Sequence, residues 1–198
     1  MCKFDQSSPD DIKRFDAALG AMRSAYRLNR TDAVNEYASK VANNPRATKD
    51  QVATASFYLG KIAFDRNDLE KAQQAMQQTV RNGGNDEQTA EARYLDAYVD
   101  YKKRNLDVAL QKADRASQNN AFVYWAAKCV ILQADIYAEK SDLVNARAAL
   151  ESIVDGVKEY PELVAEARQK LSNLEKKEQI KSRITTENKS GLLDMDKN

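Results

Sequence analysis

Few residues of this chain could do chemistry, and each stands in a telling context. Asp96 and Asp100, four apart, share one face of a helix, and Asp65 with Asp68 makes a second carboxylate pair. Such pairs serve elsewhere as general acid and base or as ligands for a hard cation. Here no phosphate-cradling glycine loop and no metal-ligand motif accompanies them, and with 31% of the chain charged such pairs arise readily on a solvated helix. Histidine is absent. Its absence removes Ser-His-Asp and Cys-His arrangements, His-rich zinc and iron sites, and the commonest base at neutral pH. Cys2 and Cys129 are too few for a zinc pattern or a disulfide framework, and Cys129 reads as a small core residue inside an apolar helical pattern. The expectation is a protein without catalytic residues, cofactor or metal. The remaining constellation is aromatic: Tyr94, Tyr98 and Tyr101 recur at i, i+4 and i+7, with Phe57 and Phe64 comparable in the preceding segment. Such a stripe either lines a contact surface or packs in a core.

The elements that position these residues are helices. Only 6 Gly and 3 Pro occur in 198 residues rich in Ala, Leu, Lys, Glu and Gln, and no segment alternates with a two-residue period long enough for a strand. Ser7-Ser8-Pro9-Asp10-Asp11 is a helix start, with Ser8 as cap and Pro9 in the first turn. Helices are expected in pairs over about 9–45, 46–84, 85–120 and 121–158, with a last helix over 161–180 and a polar tail over 181–198. Asn82-Gly83-Gly84 is expected to cap and close the second pair. Leu192, Leu193 and Met195 in the tail suggest a short docking motif or a segment that folds back.

Pairs of helices at a regular interval imply a repeat. With Ala33, Ala72, Ala109 and Ala146 as one position, the separations are 39, 37 and 37 residues, and Tyr37, Met76, Ala113 and Leu150 follow four residues later. Twelve residues before lie Ala21, Gly60, Ala97 and Ala134, small side chains that permit close helix packing. For the third pair, the literal spacing turns Asp96 or Asp100 inward. An alternative register, with one extra residue in the turn between Lys102 and Asn105, places Leu95 and Val99 inside and turns Arg93, Ala97 and Asp100 out to the groove. That register is preferred because it buries no unpaired carboxylate.

Tyr58-Leu59-Gly60 followed by Asn67-Asp68-Leu69-Glu70-Lys71-Ala72, and Ala134-Asp135-Ile136-Tyr137 followed by Ser141-Asp142-Leu143 before Ala146, resemble the tetratricopeptide repeat (TPR). The resemblance covers about residues 9–180 and implies an all-α, right-handed α-α superhelix of about four helix pairs plus a capping helix. In that family the concave groove holds an extended peptide or a partner's helix. The positions corresponding to it here are Phe57, Lys61, Phe64, Tyr94, Tyr98, Tyr101, Lys128 and Asp135. The Lys and Asn clamp with which some members bind a chaperone's C-terminal carboxylate is missing, since the clamp places hold Ala18 and Met22, Phe57 and Lys61, Tyr94 and Tyr98, and Ile131 and Asp135.

The implied function is a protein-interaction scaffold for a protein or peptide partner. The alternative is a structural segment of a longer solenoid, serving shape or self-association. Residues 124–176 look most like the C-terminal portion of large bacterial TPR proteins of the cell envelope, periplasmic or outer-membrane-associated, which implies that location and a fragment with further repeats upstream; the residues themselves leave a cytoplasmic location open. A net charge of +1, from 31 basic and 30 acidic residues, gives no reason to expect nucleic acid, and no apolar run suggests membrane insertion.

Overall fold

The protein is described by a computed structural model over residues 9–176 and Gln179. The expected cap Ser8, the end of the last helix and the tail lie outside the described residues.

A recurring backbone turn sets the architecture. Asn29, Asn67, Arg104 and Ser141 adopt left-handed conformations with φ of 55°, 58°, 66° and 62°. At each, the next amide reaches back into the helix just ended: Arg30 to Ala25, Asp68 to Ala63, Asn105 to Asp100 and Asp142 to Tyr137, all at 2.8–2.9 Å. This Schellman closure satisfies orphan carbonyls and reverses the chain into the next helix. Four hairpins result: α1 (Pro9–Arg27) with α2 (Thr31–Ala42), α3 (Lys49–Asp65) with α4 (Leu69–Asn82), α5 (Glu87–Lys102) with α6 (Leu106–Ser117), and α7 (Val123–Glu139) with α8 (Leu143–Gly156). A 3-10 turn (Asn120–Phe122) leads into α7, and α9 spans 161–176. The described residues contain no strand, and the helices pack consecutively, each against its neighbours in the chain.

Polar side chains set the helix starts. Thr48 forms a reciprocal capping box with Gln51, accepting from its amide at 3.2 Å while the Thr48 amide donates to the Gln51 side chain at 2.9 Å. Asp68, Asp86 and Asp142 accept from the amides of Lys71, Thr89 and Asn145.

The turns correct the alignment of the first pair. The residues flanking the helix starts, Arg30, Asp68, Asn105 and Asp142, are the true equivalents, so Val34 stands with Ala72, Ala109 and Ala146. All four are essentially sealed from solvent, whereas Ala33 is only half-buried. The next position is then Ala38 rather than Tyr37, and the position twelve before is Met22 rather than Ala21. In each pair at least one of the two equivalent positions is small: Met22 and Ala38, Gly60 and Met76, Ala97 and Ala113, Ala134 and Leu150. At Gly60 a Cβ would lie 2.8 Å from Met76 Cε and 3.2 Å from Ala75 Cβ, so one small partner is needed per pair to hold the helices close.

The third pair needs no inserted residue. Arg104 and Asn105 stand 37 residues after Asn67 and Asp68, so the literal spacing holds and the alternative register is overturned. Leu95 and Val99 are buried, and so are Ala97 and Asp100. The expectation that Ala97 and Asp100 turn outward is corrected too; the carboxylate can be buried because it is paired, as described below.

Gly83 also behaves differently from expectation. It follows α4 in extended conformation, φ −77° and ψ 161°, not as a left-handed cap. Glycine is required by space, since a Cβ would lie 2.1 Å from Thr89 Oγ1 and 2.9 Å from the Thr79 carbonyl oxygen.

Candidate functional site

The aromatic residues converge on a seam along the odd-numbered helices. Phe64 on α3 meets Tyr98 on α5 with ring centroids 5.8 Å apart. Tyr98 meets Tyr94 at 5.8 Å and Tyr101 at 5.9 Å. Tyr94 continues to Trp125 on α7 at 5.8 Å, Trp125 to Tyr124 at 5.0 Å, and Tyr124 to Tyr160 at 5.3 Å, so the rings run without a break from α3 to the start of α9. Each contact is within the range in which aromatic pairs attract. Trp125 thus packs on the preceding pair, as its place at the head of α7 predicts.

The charged candidates frame the seam. Lys61 Nζ donates to Glu91 at 2.6 Å, tying α3 to α5. Burial lowers the Lys61 pKa, but the hydrogen bond to Glu91 and the charges of Glu91 and its neighbours together outweigh it, so the ammonium is held above its ordinary range. Lys128 Nζ sits 5.7 Å from the centre of the Tyr94 ring and 3.1 Å from Glu166. Asp135 accepts from Lys170 at 2.7 and 2.8 Å. The Tyr101 hydroxyl donates to Glu139 at 2.6 Å, and Arg104 pairs with the same carboxylate. Burial, first of all, raises the Tyr94 and Tyr101 pKa values, so both phenols stay neutral donors at any working pH.

Seven of the eight candidates are therefore brought together on adjoining helices and half-buried: Lys61, Phe64, Tyr94, Tyr98, Tyr101, Lys128 and Asp135. Phe57 is not accessible. It is 3% exposed and belongs to the core with Tyr58 and Ile62. All three tyrosines of the stripe are half-buried and in contact within the protein, Tyr98 most of all, since it meets Phe64, Tyr94 and Tyr101 and has Lys102 Nζ 5.9 Å from its ring centre.

The carboxylate pairs have structural partners. Lys112 Nζ lies 2.6 Å from Asp100 and 2.8 Å from Asp96. Gln73 Nε2 and Asn105 Nδ2 also donate to Asp100, at 2.9 and 3.2 Å. Burial would raise the Asp100 pKa, but the hydrogen bonds from Lys112, Asn105 and Gln73 more than cancel it and hold the carboxyl below its ordinary range. Asp68 caps α4 and pairs with Lys71 at 2.7 Å. Burial pushes the Cys129 thiol up to about 12, leaving almost no thiolate at neutral pH. No group of acidic, Cys or His residues among the described residues could hold a metal ion, and no helix among them is long and apolar enough to cross a membrane.

One recurring contact is missed by the reading of single residues. The cation just after each odd helix pairs with the acid in the first turn of the preceding even helix: Arg66 with Asp32 at 3.2 Å, Lys103 with Glu70 at 2.6 Å, and Lys140 with Asp107. The 37-residue spacing of Arg66, Lys103 and Lys140 is its trace in the sequence.

Compared with known proteins, the chain matches no family model, and no curated protein matches it significantly.

Proposed function

We propose that this chain is a non-enzymatic, TPR-like interaction scaffold, its hairpins stacked in a right-handed superhelix, that holds a partner's peptide or helix against the odd-helix face. The observation that carries this reading is the seam itself: rings continuous from α3 to the start of α9, framed by Lys61, Lys128 and Asp135, with Tyr98 half-buried at the centre. Tyrosine offers a large rigid surface with a polar tip and loses little rotamer freedom on binding, which suits an interface. The equal numbers of basic and acidic residues favour a protein partner over nucleic acid.

A structural role in a longer solenoid is the second reading. It draws on the commitment of Tyr94 and Tyr101 to contacts inside the protein. Cross-linked capture from the source cell separates the two when the chain is compared with its Tyr98→Ser variant. The scaffold reading expects a specific partner lost from the variant while its melting temperature falls by no more than about 2–4 °C, the equivalent of about 1 kcal/mol. Unchanged capture by a normally folded variant favours the structural reading.

A further inference from the structure

A second groove lies between the even-numbered helices α2 and α4, with α3 as its floor. It is a cavity of about 590 Å³ whose lining includes Asn35, Ser39, Ser56, Leu59, Ala63 and Ala75. On α3, Leu59 and Ala63 lie nearly opposite Lys61 around the helix, so this groove is distinct from the aromatic seam.

The corresponding interval one repeat later, between α4 and α6 over α5, is plugged. There the equivalent positions hold Gln73, Gln77, Asp96, Asp100 and Lys112. Lys112 reaches Asp96 and Asp100 at 2.8 and 2.6 Å, while Gln73 and Gln77 donate to Asp100 and Asp96 at 2.9 and 3.4 Å. In the α2–α4 groove the same five places carry Asn35, Ser39, Leu59, Ala63 and Ala75, each shorter or without charge. The plug is missing, and a polar group in the lining is left without a partner: Ser56 is 2% exposed and its buried hydroxyl makes no hydrogen bond. A buried hydroxyl of this kind is rare unless something else satisfies it.

The walls indicate what would do so. Asn35 and Ser39 on α2 and Asn43 at its C-cap follow one another at four-residue steps and share the groove with Gln74 and Gln78 on α4. Four helical residues rise about 6 Å, close to the roughly 6.6 Å that two residues of extended chain advance. Each amide side chain offers a donor and an acceptor, the complement of a peptide unit. Those of Asn35, Gln74 and Gln78 make no hydrogen bond within the described residues. The charges at the mouth are neutralised, Arg66 by Asp32 and Asp68 by Lys71.

We propose that the α2–α4 groove binds an extended, uncharged peptide segment of a partner protein, its backbone held by Asn35, Gln74 and Gln78, with a small polar side chain meeting the Ser56 hydroxyl. The probe is a displayed library of random octapeptides selected on the full chain, followed by fluorescence anisotropy of the enriched peptides. Enrichment of uncharged sequences is expected. Their affinity should fall at least ten-fold on the Ala63→Asp, Ala75→Lys double variant, which rebuilds the plug of the next interval, and at least three-fold on Ser56→Ala. It should be unchanged on Tyr98→Ser. If the plugged variant melts well below the parent, Asn35→Ala with Gln78→Ala, both outside the core, takes its place with the same ten-fold loss expected. The proposal is overturned if no peptide is enriched, if the enriched peptides are charged, if they bind the plugged or amide-free variant as well as the parent, or if Tyr98→Ser abolishes their binding.

Discussion

Asp100 shows how a single residue can look like chemistry and serve architecture. Its carboxylate is buried, but Lys112, Gln73 and Asn105 together satisfy it, and Lys112 also bonds Asp96 across one turn of α5. Breaking a buried ion pair costs more than the pair contributes, because the surviving charge keeps its desolvation penalty. Asp100→Ala is therefore expected to lose about 2–4 kcal/mol in urea unfolding, while Asp100→Leu with Lys112→Met should lose less than Asp100→Ala alone. The pH dependence follows from the directions of the shifts. The Asp100 pKa is below its unfolded value, so its contribution is present above about pH 4 and is lost as pH falls through the folded pKa. Burial lowers the Lys112 pKa but its bonds to Asp100 and Asp96 raise it further, so that contribution is present below about pH 10 and is lost as pH rises through the folded pKa. Stability from this cluster should be flat across neutral pH, and removing Asp100 should flatten the acid limb of the profile. The aspartates and their helical spacing were legible in the sequence; their burial was not, because a desolvated carboxylate is acceptable only with partners, and two of these come from other helices, α4 and α6.

The helices owe their ends to local chemistry and their order to the turns between them. Four non-glycine residues carry the left-handed closure, at a strain of about 1 kcal/mol each relative to glycine. Ser141 is exposed. Ser141→Gly should therefore raise the melting temperature by about 1–4 °C, a gain of about 0.5–1 kcal/mol. Gly83 is the opposite case, with an ordinary conformation and no room. Gly83→Ala must displace the Thr89 hydroxyl, which donates to Asp86 at 3.0 Å, and should destabilise by about 1–3 kcal/mol in the same assay. A left-handed cap would make that substitution costly through strain rather than through Thr89. The Thr89→Ala, Gly83→Ala double variant tells the two apart, since it removes the 2.1 Å contact with Thr89 Oγ1 and so recovers part of a steric loss, but none of a loss through strain. Pro, Gly, Asn and Asp punctuation locates these joints in the sequence. The conformation at Gly83 depends instead on Thr89 at the start of the next helix.

Across the whole molecule, each hairpin touches chiefly its neighbours, and the cation–acid contacts of Arg66, Lys103 and Lys140 repeat at every joint between successive hairpins of the four. An array of this kind loses stability from its ends inward, because a terminal helix has a neighbour on one side only. For the 198-residue chain taken by itself, amide hydrogen exchange should be fastest in α1 and slowest in α3 to α6; uniform protection would mean one cooperative unit. Its helical class, its pairing of helices and its near-37-residue interval were determined by the sequence alone, since Ala, Gly, Asn-Asp turns and apolar periodicity act locally and leave local traces. Tertiary structure alone decided the one-residue shift that puts Val34 and Ala38 inside the first pair, the burial of Phe57, the plug formed by Lys112, and the open groove over Ser56. Each of these depends on what a side chain meets across the gap between helices, and residues distant in the chain supply that surface.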